Sequence, residues 1–373
     1  MRKHWLDNLR WVTVLLVLLY HVVYFYNNKG VFGGIGGFGP YPDVPQYQDV
    51  LMYILYPWFM PLLFLLAGIS ARYALERYDG RSWFKARTRK LLVPSTIGLF
   101  VFHWMVGYFN TIVAEREGVF DGVPAIVKYI IMAVSGTGPL WFIQVLWLLS
   151  LILLIIRRLD RKDRLHGAFG RAFSGKYGLV WIILLGIIFW LGEKTMISNP
   201  RPQSADGLWN LYKPLFYLVP FLLGYYVFSN EAVQEKLSKA RVPLIGCAVV
   251  SGIVLLAATF GQDNTSPQYQ GSPLNSLYGW LMCLAMTGWF KADFDHTGSF
   301  AGYMARSSYG IYIVHYLVIA SLGYMLKIHT QLPPVAMYLL LGIAVFSLSP
   351  LLYEIIRRIP IIRWCVLGES RFA

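Results

Sequence analysis

Long apolar stretches alternate with short polar ones along almost the whole chain. Runs of about 17 or more apolar residues are long enough to cross a bilayer as helices. Ten such runs occur, at approximately 9–26, 51–71, 91–113, 139–156, 177–192, 211–228, 242–260, 274–290, 308–326 and 335–356. The fifth is short and Pro124–Val134 reads as a half-helix, so nine and eleven are the neighbouring counts. No fixed-period repeat is evident, and no soluble domain is expected at either end. The pattern predicts one all-α membrane domain over residues 1–373, a polytopic bundle of about ten spanning helices. A basic Met1–Trp5 precedes the first run, but no small-residue cleavage site follows Tyr20–Tyr26, so that helix reads as retained.

Composition agrees with the pattern. The 373 residues are 57% hydrophobic and 14% charged, against about 25% charged in soluble domains. The 13 Trp and 25 Tyr suit membrane–water interfaces, where amphipathic rings collect. Net charge is +14, which in a soluble chain would suggest nucleic acid. Here 26 of the 33 Lys and Arg fall at the two ends and in alternate loops, so the charge reads as topology and no nucleic-acid partner is expected. Under the positive-inside rule both termini are cytoplasmic and the span count is even. Cys247, Cys283 and Cys365 lie in or beside apolar runs with no paired spacing, which gives neither a disulfide framework nor a metal motif.

The outer loops differ in kind. Asn27–Asp49 is rich in Gly, Pro and Tyr and too long for a mere connector. Ile197–Leu208 and Gly261–Pro273 carry Asn, Gln, Ser, Asp and Pro, a composition suited to sugar hydroxyls as well as to plain solvated connections. On the cytoplasmic side, Arg72–Lys90 holds seven cations in 19 residues with Trp83 and Phe84 between them. Guanidinium forks match phosphate oxygens, so this stretch suits a polyanionic nucleotide such as coenzyme A, and for most of its cations equally suits anionic lipid. Arg87, Arg89 and Lys90, set against the third apolar run and followed by Pro94, are the positioned members, with Arg72 further back.

Ionisable residues inside apolar runs are costly and mark candidate sites. His21 stands alone among leucines, valines and tyrosines, and Arg10 lies eleven residues before it. Eleven residues of helix come to about 20° past three full turns, which sets both on one face about 16 Å apart. Asp7, three residues before Arg10, is placed to pair with it. An imidazole accepts and returns a proton near neutral pH and suits general-base work on a hydroxyl; the plain alternative is a satisfied helix–helix hydrogen bond. His315 is a second candidate, with Tyr312 and Tyr309 one and two turns before it, and His103 a weaker third. No serine-nucleophile elbow, HExxH, P-loop or paired membrane carboxylates occur, which argues against a serine hydrolase, a zinc protease, an ATPase and a carboxylate-based proton pump.

Asp7-Asn8-Leu9-Arg10 leading through ten residues to His21 resembles the signature of the acyltransferase-3 membrane family. Phe64-Leu65-Leu66-Ala67-Gly68 looks like that family's second-helix motif, with Ala67 where Ser is common. Arg87-Thr88-Arg89-Lys90-Leu91-Leu92-Val93-Pro94 resembles its basic motif, with Lys90 at the second arginine. Leu140-Trp141-Phe142 and Ser308-Tyr309 through Tyr312 to His315 resemble later landmarks. The glycine- and proline-rich first outer loop looks most like the glucan-modifying, periplasmic glucan succinyltransferase-like branch.

The resemblance implies a multi-pass protein of the plasma (inner) membrane. It would transfer an acyl group, acetyl or succinyl, from cytoplasmic acyl-CoA to a hydroxyl of an extracytoplasmic carbohydrate. His21 would be the essential histidine, as general base or transient acyl carrier, and Arg10 its partner. Arg87, Arg89, Lys90 and Arg72 would bind the donor, and Asp7, His315, Tyr309 and Trp141 are secondary candidates. Ala67 and Lys90 depart from the pattern, and a lysine offers a point charge where arginine offers a fork. No tightly bound cofactor is implied, since acyl-CoA enters as co-substrate. The rival from another class is an exporter of a polysaccharide or lipid-linked sugar, which would favour helices interrupted at Pro57/Pro61 or Pro214/Pro220.

Overall fold

The computed structural model describes residues 3–27, 34–38, 46–113, 120–197, 213–264 and 266–369. Among these the chain is helical throughout, without a strand. The first half holds α1 (His4–Phe25), α2 (Val50–Leu55), α3 (Phe59–Leu75), α4 (Gly80–Arg87), α5 (Trp104–Val113), α6 (Ala125–Ser135), α7 (Trp141–Leu159) and α8 (Arg164–Ser174). The second half holds α9 (Gly178–Ile197), α10 (Pro214–Leu223), α11 (Glu231–Lys239), α12 (Arg241–Thr259), α13 (Pro267–Gln270), α14 (Pro273–Asp293), α15 (Ser299–His329), α16 (Pro334–Arg358) and α17 (Pro360–Leu367).

Six stretches are by themselves long and apolar enough to span a membrane: His4–Phe25, Tyr47–Leu75, Gly138–Leu159, Arg241–Thr259, Ser299–His329 and Pro334–Arg358. A seventh arises if α8 and α9, bent by 119°, count as one broken span. The apolar pattern predicts ten, and the shortfall has local causes. The expected 91–113 run is interrupted by a turn at residues 93–96, where Pro94 lies, leaving a short apolar Leu99–Val113. The expected 211–228 run becomes α10 with Pro220 inside it, followed by a π turn at Gly224–Phe228. Proline lacks the N–H that would continue the helical ladder, and π turns absorb the mismatch. α14 is 21 residues long but carries Asn275, Ser276 and Thr287 on buried positions. The Pro124–Val134 half-helix is α6, 11 residues long.

The chain divides into two compact units whose segments interleave in sequence. Unit 1 comprises Met1–Thr13, Tyr53–Phe84 and Leu148–Ala305. Within it α14 is the central helix, touching α12, α11, α9 and α3. α3 meets α10 and the following π turn backbone to backbone. A Cβ on Gly68 would fall 2.0 Å from the Phe221 carbonyl oxygen, and one on Gly224 2.1 Å from that of Leu65. Small residues permit this approach, which bilayer helices use because lipid gives no hydrophobic drive for helix pairing.

Unit 2 comprises Val14–Met52, Lys85–Trp147 and Arg306–Ala373. α5 and α6 pack as tightly here. A Cβ on Gly107 would reach 1.8 Å from the Met132 oxygen, and one on Gly136 1.9 Å from that of His103. Lys327 near the end of α15 gathers the carbonyls of Ile35, Gly36 and Gly37 on its ammonium and lies 5.3 Å from the Phe38 ring. The described part of the glycine-rich loop is thereby tied to α15. Its remainder lies outside the described residues.

Candidate active site

α1 runs unbroken from His4 to Phe25, so the helical register assumed for Arg10 and His21 holds. In unit 2, His21 Nδ1 lies 3.0 Å from His315 Nε2, with ring centroids 5.0 Å apart. His315 is wholly buried and His21 half-buried. The other ring nitrogen of His315, Nδ1, meets the backbone carbonyl of Tyr312 one turn earlier. A carbonyl only accepts, so the neutral His315 ring carries its proton on Nδ1 and offers the Nε2 lone pair. His21 therefore donates from Nδ1 and keeps a lone pair on Nε2. The Val17 carbonyl, one turn back on α1, also engages the His21 ring. This is the tautomer that a base or a nucleophile acting through Nε2 requires.

Aromatic rings frame the pair. Tyr20, Tyr24 and Tyr316 stand edge-on to His21 at centroid distances of 5.6, 6.2 and 5.4 Å. Tyr24 lies one turn beyond His21 on α1, whereas Tyr20 directly precedes His21 and Tyr316 directly follows His315 on α15. Two hydroxyls fix α15, Tyr312 donating to the Pro139 carbonyl and Tyr309 to the Lys90 carbonyl. Phe142 sets its edge on Tyr312 at 6.0 Å, and half-buried Trp141 precedes it at the start of α7. Gly138, just before α7, has φ +38°, a left-handed turn that glycine adopts readily. His103 is buried as well, and neither of its ring nitrogens has a hydrogen-bond partner among the described residues.

Arg10 lies in unit 1. It donates to the Asp7 carboxylate at 2.9 Å and to the Ser70 hydroxyl at 2.7 Å. Ser70 in turn donates to the Leu66 carbonyl at 2.7 Å, which orients its oxygen to accept from Arg10. The guanidinium is thus held in place by two neighbours, only one of which the sequence pattern reveals.

The basic residues separate into two groups. Arg87, Arg89 and Lys90 sit at the π turn Thr88–Leu92 of unit 2. Arg89 and Lys90 are exposed and Arg87 half-buried. Their backbone is braced from two directions. Trp147 donates to the Thr88 hydroxyl at 3.0 Å, and Gly368 approaches so closely that a Cβ would lie 2.4 Å from the Arg89 carbonyl oxygen. Lys90 Nζ lies 4.9 Å from the Tyr309 ring centroid, a cation–π contact. Arg72 belongs to unit 1 instead, where Glu76 at 2.8 Å and Asp163 at 2.7 Å fill its fork. Burial opposes ionisation of Asp163, but the hydrogen bond and charge of Arg72 override it and hold the carboxyl below the usual carboxylate range. Arg72 thus belongs to a different unit from the other three.

Sequence reasoning missed Ser70, Tyr20, Tyr24 and Tyr316. Serine at a helix face and tyrosine in an apolar run are both commonplace, so neither carries a signal until its partner is known. It also missed Glu193, a carboxylate at the end of an apolar helix, whose charge was a usable signal.

A family model described as an acyltransferase domain matches residues 3–354. The chain is 21% identical over 373 residues to the Glucans biosynthesis protein C of Salmonella typhi and to that of Salmonella typhimurium, a match covering 99% of this chain and 95% of each relative. The protein of that name from Salmonella paratyphi B is 20% identical over 372 residues, with the same coverage. No solved structure matches the chain. A match that runs through α1, with Arg10 and His21, and on through α15, with His315, leaves one conclusion: this chain belongs to the acyltransferase-3 family of multi-pass membrane proteins.

Proposed function

We propose that this protein is a membrane O-acyltransferase. It takes an acyl group, acetyl or succinyl, from cytoplasmic acyl-CoA and delivers it to a hydroxyl of an extracytoplasmic carbohydrate. Both termini face the cytoplasm of the cell membrane, following the distribution of Lys and Arg. The observation that carries the reading is the 3.0 Å contact between His21 Nδ1 and His315 Nε2. Two imidazoles in series, the inner one set by a backbone carbonyl, are what a positioned base needs.

His21 Nε2 takes the proton of the acceptor hydroxyl as its oxygen attacks the thioester carbonyl. The C–S bond breaks, the new ester C–O bond remains, and the coenzyme A thiolate leaves to be protonated. In the covalent variant His21 Nε2 attacks the thioester first and the hydroxyl then displaces it. Arg87, Arg89 and Lys90 hold the donor's phosphates, while Asp7 and Ser70 fix the orientation of the Arg10 guanidinium. The names of the relatives favour a glucan acceptor.

The test uses proteoliposomes with radiolabelled acyl-CoA on the side of the termini and glucose oligosaccharide on the other. Wild type is expected to label the oligosaccharide. His21→Ala should lose about 10²–10⁴ in rate per folded molecule while still inserting and binding coenzyme A. Near-wild-type rate per folded molecule would remove His21 from the chemistry. A second reading, a polysaccharide or lipid-linked sugar exporter, draws on the helix breaks at Tyr56–Trp58 and at Pro220 with its π turn. Oligosaccharide carried across the same liposomes without acylation would favour it.

A further inference from the structure

Unit 1 contains a polar interior that none of the chemistry above uses. Glu193 on α9 is 5% exposed and accepts a hydrogen bond from Ser276 of α14 at 3.0 Å. Lys213, which precedes α10, is 7% exposed and donates to the Gln270 side-chain oxygen. Its backbone is left-handed, with φ +41° at a non-glycine residue. Gln270 uses its amide nitrogen on the Tyr56 hydroxyl at 3.0 Å and on the Asn264 carbonyl at 3.3 Å. Asn275 donates to the Gln270 backbone carbonyl at 3.2 Å. One network thus joins α9, α10, α13, α14 and the break before α3, and Glu193 and Lys213 attract each other across it.

An apolar helix bundle pays heavily for a buried carboxylate and ammonium, by several kcal/mol per ion. A hub serving stability alone would close its remaining hydrogen bonds. This one does not. The Asn264 side-chain N–H₂, on a residue 2% exposed, and the Asn275 side-chain oxygen, on a residue 1% exposed, have no partner among the described residues. Asn264 and Asn275 both bond Gln270, and an open donor and an open acceptor within one such network are the complement of a hydroxyl group, which accepts and donates at once. Trp190, whose indole donates to the Gly271 carbonyl at 3.0 Å and whose ring carries Lys194 Nζ at 5.1 Å, ties α9 to the same stretch. Strained backbone at a residue whose side chain enters such a cluster is also characteristic of binding sites. Asn264 and Gln270 themselves belong to Gly261–Pro273, a stretch without a lysine or arginine, as the positive-inside rule expects of an outer loop.

We propose that this interior is a carbohydrate-binding site. It would seat a sugar unit of the acceptor through Asn264 and Asn275, with Glu193, Lys213 and Gln270 setting their orientation. The proposal rests on the acyltransferase reading only in naming the bound sugar as the acceptor.

The experiment is equilibrium dialysis of the purified full-length protein against radiolabelled glucose oligosaccharides of several linkages. Unfolding temperature and acyl transfer are measured on the same preparations. Wild type is expected to bind at least one linkage. Asn264→Leu, and Asn264→Ala should the first fail to fold, are expected to weaken binding about two- to thirteenfold, the value of one hydrogen bond, without lowering the unfolding temperature. Removing an unpaired buried polar group stabilises an empty protein, so retained stability with lost binding separates a site from a scaffold. No binding by wild type, or equal binding by the variants, overturns the proposal and shows a hub that holds water. Wild type that binds sugar through Asn264 but transfers no acyl group refutes the acyltransferase reading and keeps this one. Wild type that acylates while the variants bind unchanged does the reverse.

Discussion

Replacing His315 separates two roles that the histidine pair could play. His315→Leu fills the same buried space but leaves His21 Nδ1–H without the acceptor now 3.0 Å away. If His315 only selects the His21 tautomer, the loss is one hydrogen bond, worth about 0.5–1.5 kcal/mol, or roughly two- to thirteenfold in rate. If His315 also passes the proton onward, the loss rises to about 10²–10⁴. His315→Gln divides these cases. Its carboxamide offers a donor to the Tyr312 carbonyl and an acceptor to His21 at nearly the imidazole's spacing, yet it cannot titrate. Glutamine should therefore restore activity if orientation is the whole role, and not if proton movement is. The assay is acyl transfer from radiolabelled acyl-CoA per folded molecule, with folded fraction read by size exclusion and thermal unfolding. The Leu variant should also lose about 0.5–1.5 kcal/mol of stability for the hydrogen bond removed. Rates within twofold of wild type in both variants would refute the reasoning.

Three more outcomes are expected. Replacing Arg87 and Arg89 by Ala should weaken coenzyme A binding measured by calorimetry, and wild-type binding should fall as salt is added because exposed ionic contacts are screened; Arg72→Ala should instead lower stability, since its fork is already filled by Glu76 and Asp163. For Glu231, burial opposes ionisation, but Lys291 at 2.7 Å and Lys3 override it and hold the carboxyl below the usual range. A carboxyl depressed in the folded state stabilises fully above its unfolded value and stops doing so as pH falls through its folded value. The unfolding temperature should therefore drop on acidification below about pH 4, with Glu231→Gln showing a smaller drop. The exposure of these groups limits the effect to about 0.2–1 kcal/mol per pair.

Much of this was readable from the chain before folding. Spans such as α1, α7, α12, α15 and α16 announce themselves because each places a long apolar run in register. The breaks do not, since hydropathy is blind to the missing N–H of Pro220 and to the turn at residues 93–96 around Pro94. α14 forms where the apolar run predicts a helix, and because other helices surround it, it keeps Asn275 and Thr287 buried. In the site, Arg10 and His21 stand out because charge and imidazole are expensive in apolar runs. Their partners stay hidden. Ser70 is 60 residues from Arg10, His315 is 294 from His21, and Asp163 is 91 from Arg72, separations that no periodicity spans.

The uneven burial of the spanning helices has a practical consequence. The Tyr47–Leu75 span is 78% buried within the protein, whereas Arg241–Thr259 and Pro334–Arg358 are each only 22% buried. α12 and α16 therefore leave many apolar side chains uncovered by protein, although α12 packs against α14 on one face. α3, locked to α10 through Gly68 and Gly224, keeps its contacts whatever surrounds the molecule. Choice of detergent should thus act first on α12 and α16. Short or harsh amphiphiles would loosen those two helices well before they disturb α3, and added phospholipid would be felt there soonest.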